Sequence, residues 1–564
     1  MNPSNWLYWS LWPKQDWKNK MMRIWNPKIV SCFLFLLWAA TYGQLNTEKE
    51  AQIDSLFQVW NKPNHPGGAI AIMQGDKVVY SKAYGLASME YLVPNSTGTL
   101  FNVASVSKQF SALGIVLLQE QGKLSVDDTI DKYIDGLAPF GSKITIRQMM
   151  HHTSGLRSLH ALFALAGWRN DDSRTNADLD RIMALQTELN FEPGSEYLYC
   201  NTGYMFLANI IEKVTHKSFM DFMKEDIFIP LGMHETYVED RYDRIVPNNA
   251  TSYYTQRNGF IRAVEYWGYV GSGNMHTTTA DLLKYLKNYY DPQPGWENIF
   301  RTMQTLDPLN DGSYLEYAFG VNVDKLYGKK RITHGGSIGG FRSNVAVFPE
   351  EKTSIAIITN FSSSGPGGKS NDIAGILFGK PAPFKKLKVA KISKSIMESY
   401  AGDYWDDDTY EEQQVTINGD TLFLGQSKTA FIPIAEGKFE ALDSQNGTKL
   451  EFHENEFDYI PGSNRSLHFK KFKEEPLTGA NAEEYVGAYY SPEIHTSYSI
   501  FYREGKLYAF HIRFGELTLT QKFKDLLQGE YPLSTLKFKR ENGKITGVWI
   551  SDGRVRNLWF VKTE

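Results

Sequence analysis

Near residue 380 the chain changes its pattern, and that change constrains the fold more than any single motif. Before it, apolar residues recur at both helical and strand spacing. After it come short alternating stretches: "EQQVTINGDTLFL", "GTKLEFHENEFDYI", "SYSIFYREGKLYAF" and "STLKFKRENGKITGVWI". The later part also repeats. "YAGDYW" begins at Tyr400 and "YVGAYY" at Tyr485, and each precedes a hairpin with Asn-Gly-Asp or Glu-Gly-Lys at its turn. Two similar halves of antiparallel strands can close one barrel and remove both exposed edges. The break itself, "GKPAPFKKLKVAKISKS", is proline-bearing and lysine-rich, as a solvated linker is.

The first part reads differently. Residues 67–90 form two strands joined by "QGDK". Residues 106–121 place Phe110, Leu113, Val116 and Leu117 at helical spacing, and Gly122 ends that helix. "TGYMFLANIIEKVTHKSFMDFMKEDIF" supplies two more helices, and "TTTADLLKYLKNYY" has threonine caps before another. Strands follow at "NVAVFP" and "TSIAIITNF", then a last helix near "NDIAGILFG". Strands at both ends with helices between predict an α+β unit whose terminal strands meet in one antiparallel sheet. A chain of 564 residues exceeds one ordinary core. The expected order is an N-terminal extension and signal segment (1–43), an α+β unit (44–380), a linker (381–396) and an all-β barrel unit (397–564).

Bulk charge narrows the partners. The formal net charge is −4, so no basic field points to nucleic acid. The apolar run "IVSCFLFLLWAA" has about twelve residues, too few for a bilayer span. Arg23 and Lys28 precede it and Gly43 follows, the layout of a signal peptide cut near Gly43/Gln44. Met21 or Met22 is the expected start. The mature chain is then expected in the periplasm or outside the cell, with Cys200 as its one thiol and no stable membrane span.

Chemistry concentrates in three stretches. In "FNVASVSKQF", Lys108 sits in the first turn of a helix, where it opposes the helix dipole. A capping serine is the plain reading of Ser105. A lysine three residues on suggests more: a buried amine, lowered from its usual pKa of about 10.4, can take a proton from a hydroxyl held at the positive end of a helix. Ser107 has no lysine at that spacing. In "PGSEYLYCNTGY", locally extended backbone would aim Tyr199 and Asn201 into one pocket and pack Cys200 behind them. In "RITHGGSIGGF", His334 ends a strand and Gly335 and Gly336 allow a ligand close to the backbone.

Together these residues resemble the serine β-lactamase-like hydrolases: class C β-lactamases, penicillin-binding DD-peptidases, esterases and D-aminopeptidases. That family carries S-x-x-K, Y-x-N and K-T-G or H-x-G motifs. Here they stand in order as Ser105–Lys108, Tyr199–Asn201 and His334–Gly336, over roughly residues 50–375. The resemblance implies an acyl-enzyme on Ser105, with acid–base work shared by Lys108 and Tyr199. Asn201 would hold Lys108 and the substrate amide, and the N–H groups of Ser105 and Ser337 would form the oxyanion hole. His334 stands where the lactamases have lysine. With a reference pKa of about 6.5 it is mostly neutral at pH 7, so carboxylate recognition should weaken. This disfavours efficient β-lactam hydrolysis and favours D-aminopeptidase- or esterase-like chemistry on D-amino-acid-containing peptides or small esters. Some D-aminopeptidase-like members carry lipocalin-like barrels, which agrees with the repeat. No cofactor or metal is implied, a peptide or small-molecule substrate is the expected partner, and a homo-oligomer is left open. The competing reading is a non-catalytic cell-wall peptide sensor or ligand-binding protein.

Several patterns compete with these. "GGSIG" matches a nucleophile elbow at Ser337, but turn and strand residues follow it instead of a helix. "GPGGKS" resembles a P-loop, but Ser363 occupies its first glycine position. Cys200 reads as a packing residue and His152 as a structural one. The histidines show no H-E-x-x-H pattern. Tyr266 and Trp267 are candidates for the pocket wall.

Overall fold

A computed structural model describes residues 45–137, 140–380, 389–425, 429–442, 447–475 and 477–563. The expected signal segment and the first part of the linker lie outside these residues.

The α+β unit is built on one antiparallel sheet. Its strands are β1 (Gly68–Gln74), β2 (Lys77–Tyr84), β3 (Asn322–Leu326), β4 (Lys329–Ile338), β5 (Phe341–Phe348) and β6 (Thr353–Thr359), in the order β3-β4-β5-β6-β1-β2. The terminal strands meet as expected: β1 pairs β6 from Gly68↔Thr359 to Gln74↔Thr353. Both strands are almost continuously apolar because both faces of the sheet are covered. On one face Ile70, Ile72, Ile355 and Ile357 pack with α1 (Thr47–Phe57) and the last helix of the unit (Pro366–Phe378). On the other, Ala69, Ala71, Ala356 and Ile358 face the helical body, which holds α2 (Lys108–Glu120), α3 (Asn201–Thr215) and α4 (Thr279–Lys287). Gly114 lets α2 approach its neighbours closely, since a Cβ there would meet Phe222, Ile211 and Met223 at 2.9–3.0 Å.

The C-terminal part departs from the expectation of one barrel made of two halves. Each half closes on itself as an eight-stranded antiparallel barrel. The first runs from Gly402–Trp405 to Leu467–Phe472, and these two strands pair to close it. The second is closed likewise by Gly487–Ser491 against Val555–Lys562. Strands such as Thr421–Leu424, Lys438–Ala441 and Leu526–Gly529 have four residues each, too few to display alternation in sequence. Eight strands leave an interior that side chains can fill. Phe431, Phe439, Leu450 and Phe457 are fully buried in the first barrel, and Leu507, Leu536 and Leu558 in the second. The sequence repeat does the same work twice. Tyr404 Oη donates to Tyr400 O at 2.9 Å, and Tyr489 Oη to Tyr485 O at 2.8 Å. Gly402 and Gly487, between those tyrosines, have φ of 145° and 150°.

Both barrels dock on the α+β unit through buried polar contacts. Arg157 is fully buried, with Nη1 2.8 Å from Glu493 Oε2, and Nη2 donates to the carbonyls of Arg556 and Asn557. Glu196, three residues before Tyr199, pairs with Arg465 of the first barrel at 2.8 Å and Arg556 of the second at 2.6 Å.

Candidate active site

Residues Ala104–Ser107 form a short 3₁₀ turn that runs into α2. Ser105 therefore belongs to the turn and caps nothing, which departs from the plain capping reading. Ala104 sits at φ 50°, and its N–H is held by Asn102 Oδ1 at 2.8 Å. A positive φ at alanine costs on the order of 1 kcal/mol, offset here by that bond and by burial. It turns the chain so that Ser105 lines a cavity of about 380 Å³.

Lys108 is fully buried. Its Nζ lies 3.3 Å from Ser105 Oγ and donates to Ser272 O at 2.7 Å. Burial pulls its pKa well below the usual lysine range, and the positive charge of Arg554 pulls it further. The bonds Lys108 makes are to Ser105 and Ser272, so the expected bond from Asn201 is absent among the described residues.

Tyr199 precedes Cys200, which is extended at φ −128° and ψ 115°, and Asn201 is already the first residue of α3. The local geometry is thus strand into helix, and Asn201 reaches the cavity wall from the helix start. The Tyr199 hydroxyl is buried and makes no hydrogen bond of ordinary geometry, although Ser105 stands near enough to favour its ionisation. Burial dominates and raises its pKa above the tyrosine norm. The Lys108 amine is 5.0 Å from the centre of its ring. Cys200 packs inward and donates to Leu156 O at 3.2 Å.

Two supporting residues carry no signal in the motifs. His152, fully buried at φ 60°, accepts the Cys200 N–H on Nδ1 at 3.1 Å, and its ring centre lies 4.1 Å from that of Tyr199. Burial keeps it neutral. Tyr317 lies 2.9 Å from His334 Nε2, while Gly335 O lies 2.6 Å from His334 Nδ1. The carbonyl can only accept, so Nδ1 donates and Nε2 accepts from the tyrosine. His334 is 4% exposed and its pKa is pushed down to about 3, first by burial and then by Lys108. It is a neutral, inward-facing ring.

The following residues face the site. Pairing of β4 with β3 stops at Thr333, so Gly335–Ser337 offer an open strand edge beside the Ser105 turn. Gly336 is required there: a Cβ would fall 2.2 Å from Ser343 Oγ and 2.3 Å from Val103 O. Ser337 lines the cavity from a strand, with β5 after it, so it does not occupy a nucleophile elbow. The "GPGGKS" lysine, Lys369, donates to Leu56 O at 2.7 Å and covers the rings of Phe57 and Trp60, which leaves no P-loop. Trp267 lines the cavity, whereas Tyr266 lines a neighbouring one. Arg174, Arg342 and, from the second barrel, Tyr531 and Arg554 complete the wall.

Among the described residues no group of three or more His, Cys, Asp or Glu side chains is placed to hold a metal, and no helix is long and apolar enough to cross a membrane.

Residues 53–379 match the family model described as Beta-lactamase. The chain is 30% identical to penicillin-binding protein 4* of Bacillus subtilis (strain 168) over 429 residues, 70% of this chain and 92% of that protein. It is 26% identical to a D-aminopeptidase of Cereibacter sphaeroides (strain KD131) over 535 residues, 88% of this chain and 96% of that protein. An octameric penicillin-binding protein homologue from Pyrococcus abyssi superposes with a TM-score of 0.52 at 25% identity, covering 75% of this chain and 99% of that one.

Proposed function

This chain belongs to the beta-lactamase family, and from that premise we propose that it is a serine hydrolase that cleaves amide or ester bonds through an acyl-enzyme on Ser105. The substrates proposed are D-amino-acid-containing peptides or small esters. The observation that carries the reading is Lys108: a buried amine 3.3 Å from a cavity-lining hydroxyl, with no ion pair among the described residues. A binding protein has no need of a desolvated base. The neutral amine takes the Ser105 proton as Oγ bonds to the substrate carbonyl carbon. The N–H groups of Ser105 and Ser337 receive the oxyanion, a contribution typically worth a few kcal/mol. Collapse breaks the C–N or C–O bond, and the leaving group takes the proton from Lys108, with Tyr199 as the adjoining hydroxyl. Water then attacks the acyl ester, gives its proton to Lys108, and Ser105 regains its own.

The open edge of β4 supports an extended substrate, which would pair with Gly335–Ser337 as an added strand. The reading includes export, on the apolar run behind Arg23 and Lys28. It assigns the hydrolase to residues 44–380.

Incubation of the full chain with a fluorophosphonate, wild type beside Ser105→Ala, tests the reading. Peptide mass spectrometry should find the adduct on Ser105 and none in the variant. An unlabelled wild type, under conditions that label a known serine hydrolase, would favour a binding protein instead.

A further inference from the structure

The turn at the end of the second barrel, Ser551–Val555, enters the active-site cavity and carries Arg554. Its backbone is pinned: Arg554 O accepts from Ser158 N and from Asn190 Nδ2, both at 3.1 Å. The side chain is not pinned by charge. Its guanidinium lies 5.1 Å from the centre of the Tyr199 ring and forms no ion pair among the described residues. Two more arginines line the same cavity. Arg174, 3% exposed, spends its bonds on His160 Nδ1 and Arg169 O, and its Nε has no partner. Arg342 donates to the carbonyls of Gly339 and Phe341. No carboxylate lines the cavity among the described residues. Asp172, Glu265 and Asp552 sit within electrostatic reach of Arg174, Arg342 and Arg554 respectively, yet none forms an ion pair with them among the described residues.

Three arginines around one polar cavity, none of them in an ion pair among the described residues, are a costly arrangement unless an anion enters it. His334 does not provide that charge, because it is neutral and turned toward Tyr317. Resting on the hydrolase reading above, we propose that this site selects anionic substrates and that Arg554, supplied by the second barrel, is the residue that grips their carboxylate. Arg174 and Arg342 add the surrounding positive field. The second barrel is then part of the active site, and the preference is opposite to that for a free substrate ammonium.

The test measures binding and does not depend on turnover. The full-length Ser105→Ala protein is titrated calorimetrically with N-acetyl-D-alanine, N-acetyl-D-alaninamide and D-alaninamide. The acid should bind at least about tenfold tighter than either amide, the scale of one charge-assisted contact. Arg554→Gln should remove most of that preference, and Arg554→Lys should restore part of it. Equal binding of acid and amide, tighter binding of D-alaninamide, no binding of the acid, or an unchanged preference in Arg554→Gln would each overturn the proposal. Fluorophosphonate labelling separates this from the hydrolase reading: labelled Ser105 with equal binding defeats the anion site alone, whereas acid-selective binding with an inert Ser105 defeats only the hydrolase.

Discussion

Lys108 Nζ lies 2.7 Å from the carbonyl oxygen of Ser272, and this carbonyl stands where a buried amine would ordinarily require a carboxylate. A dipole orients the amine without supplying the full counter-charge that would keep it protonated. In the proposed mechanism this leaves the amine free to act as a base toward Ser105.

Activity should therefore rise with pH along an acidic limb that reports deprotonation of Lys108. Arg554 lowers the pKa of this amine. Its removal in Arg554→Gln should raise that pKa and move the limb to higher pH. Lys108→Met should lower kcat/KM by roughly 10²–10⁴. Profiles of kcat/KM against pH for the two variants check both statements, and a limb that stays in place in Arg554→Gln would contradict the first.

Gly336→Ala places a methyl group 2.2 Å from Ser343 Oγ and 2.3 Å from Val103 O. Ser343 Oγ itself donates to Val103 O at 2.7 Å, so the added carbon forces β4 away from the Ser105 turn. Loss of fluorophosphonate labelling with a near-native circular dichroism spectrum is expected. Full labelling would mean that the turn and the strand separate without consequence.

Glu493→Ala removes the buried partner of the Arg157 guanidinium at the barrel junction and leaves it only the exposed Glu188 at 3.9 Å, the Glu493 and Arg157 side chains being 6% and 0% exposed. Removal of one member of such a pair costs about 3–5 kcal/mol. The variant should melt at a clearly lower temperature, and an unchanged Tm would show that the junction contributes little.

His334 has a folded pKa of about 3 against 6.5 for the free side chain. Between these values the unfolded chain takes up a proton that the folded chain refuses, so stability falls as the pH drops from about 6.5 toward 3. Urea midpoints at pH 7.5 and pH 5 should differ less in His334→Gln than in wild type. His160, also pushed down to about 3, preserves part of the slope. Equal slopes in both proteins would remove His334 from the account.

The sheet was legible because apolar runs such as "GAIAIMQ" and "TSIAIIT" need cover on both faces, and the helical segments between them supply it. The repeat at Tyr400 and Tyr485 was legible too, but not its meaning. Four-residue strands carry too little alternation to be counted, so two barrels read as one. At the site, Ser105 and Lys108 stood out through spacing, and Tyr199 and Asn201 through the resemblance that the three motifs carry together. His152 read only as a structural residue, as it is, and Tyr317 did not stand out at all, because a buried ring that positions a neighbour has no local pattern.

By itself the sequence determined the local chemistry: which hydroxyl has an amine three residues on, which glycines permit close approach, and where helices and strands alternate. Tertiary structure alone decided how that chemistry is tuned. Burial lowers the pKa of Lys108 and of His334, and the second barrel brings Arg554 to Tyr199 across more than 350 positions of chain. The physical reason is one of range. Spacing governs neighbours within a turn or a strand, whereas desolvation and electric field depend on everything packed around a group, however distant in sequence.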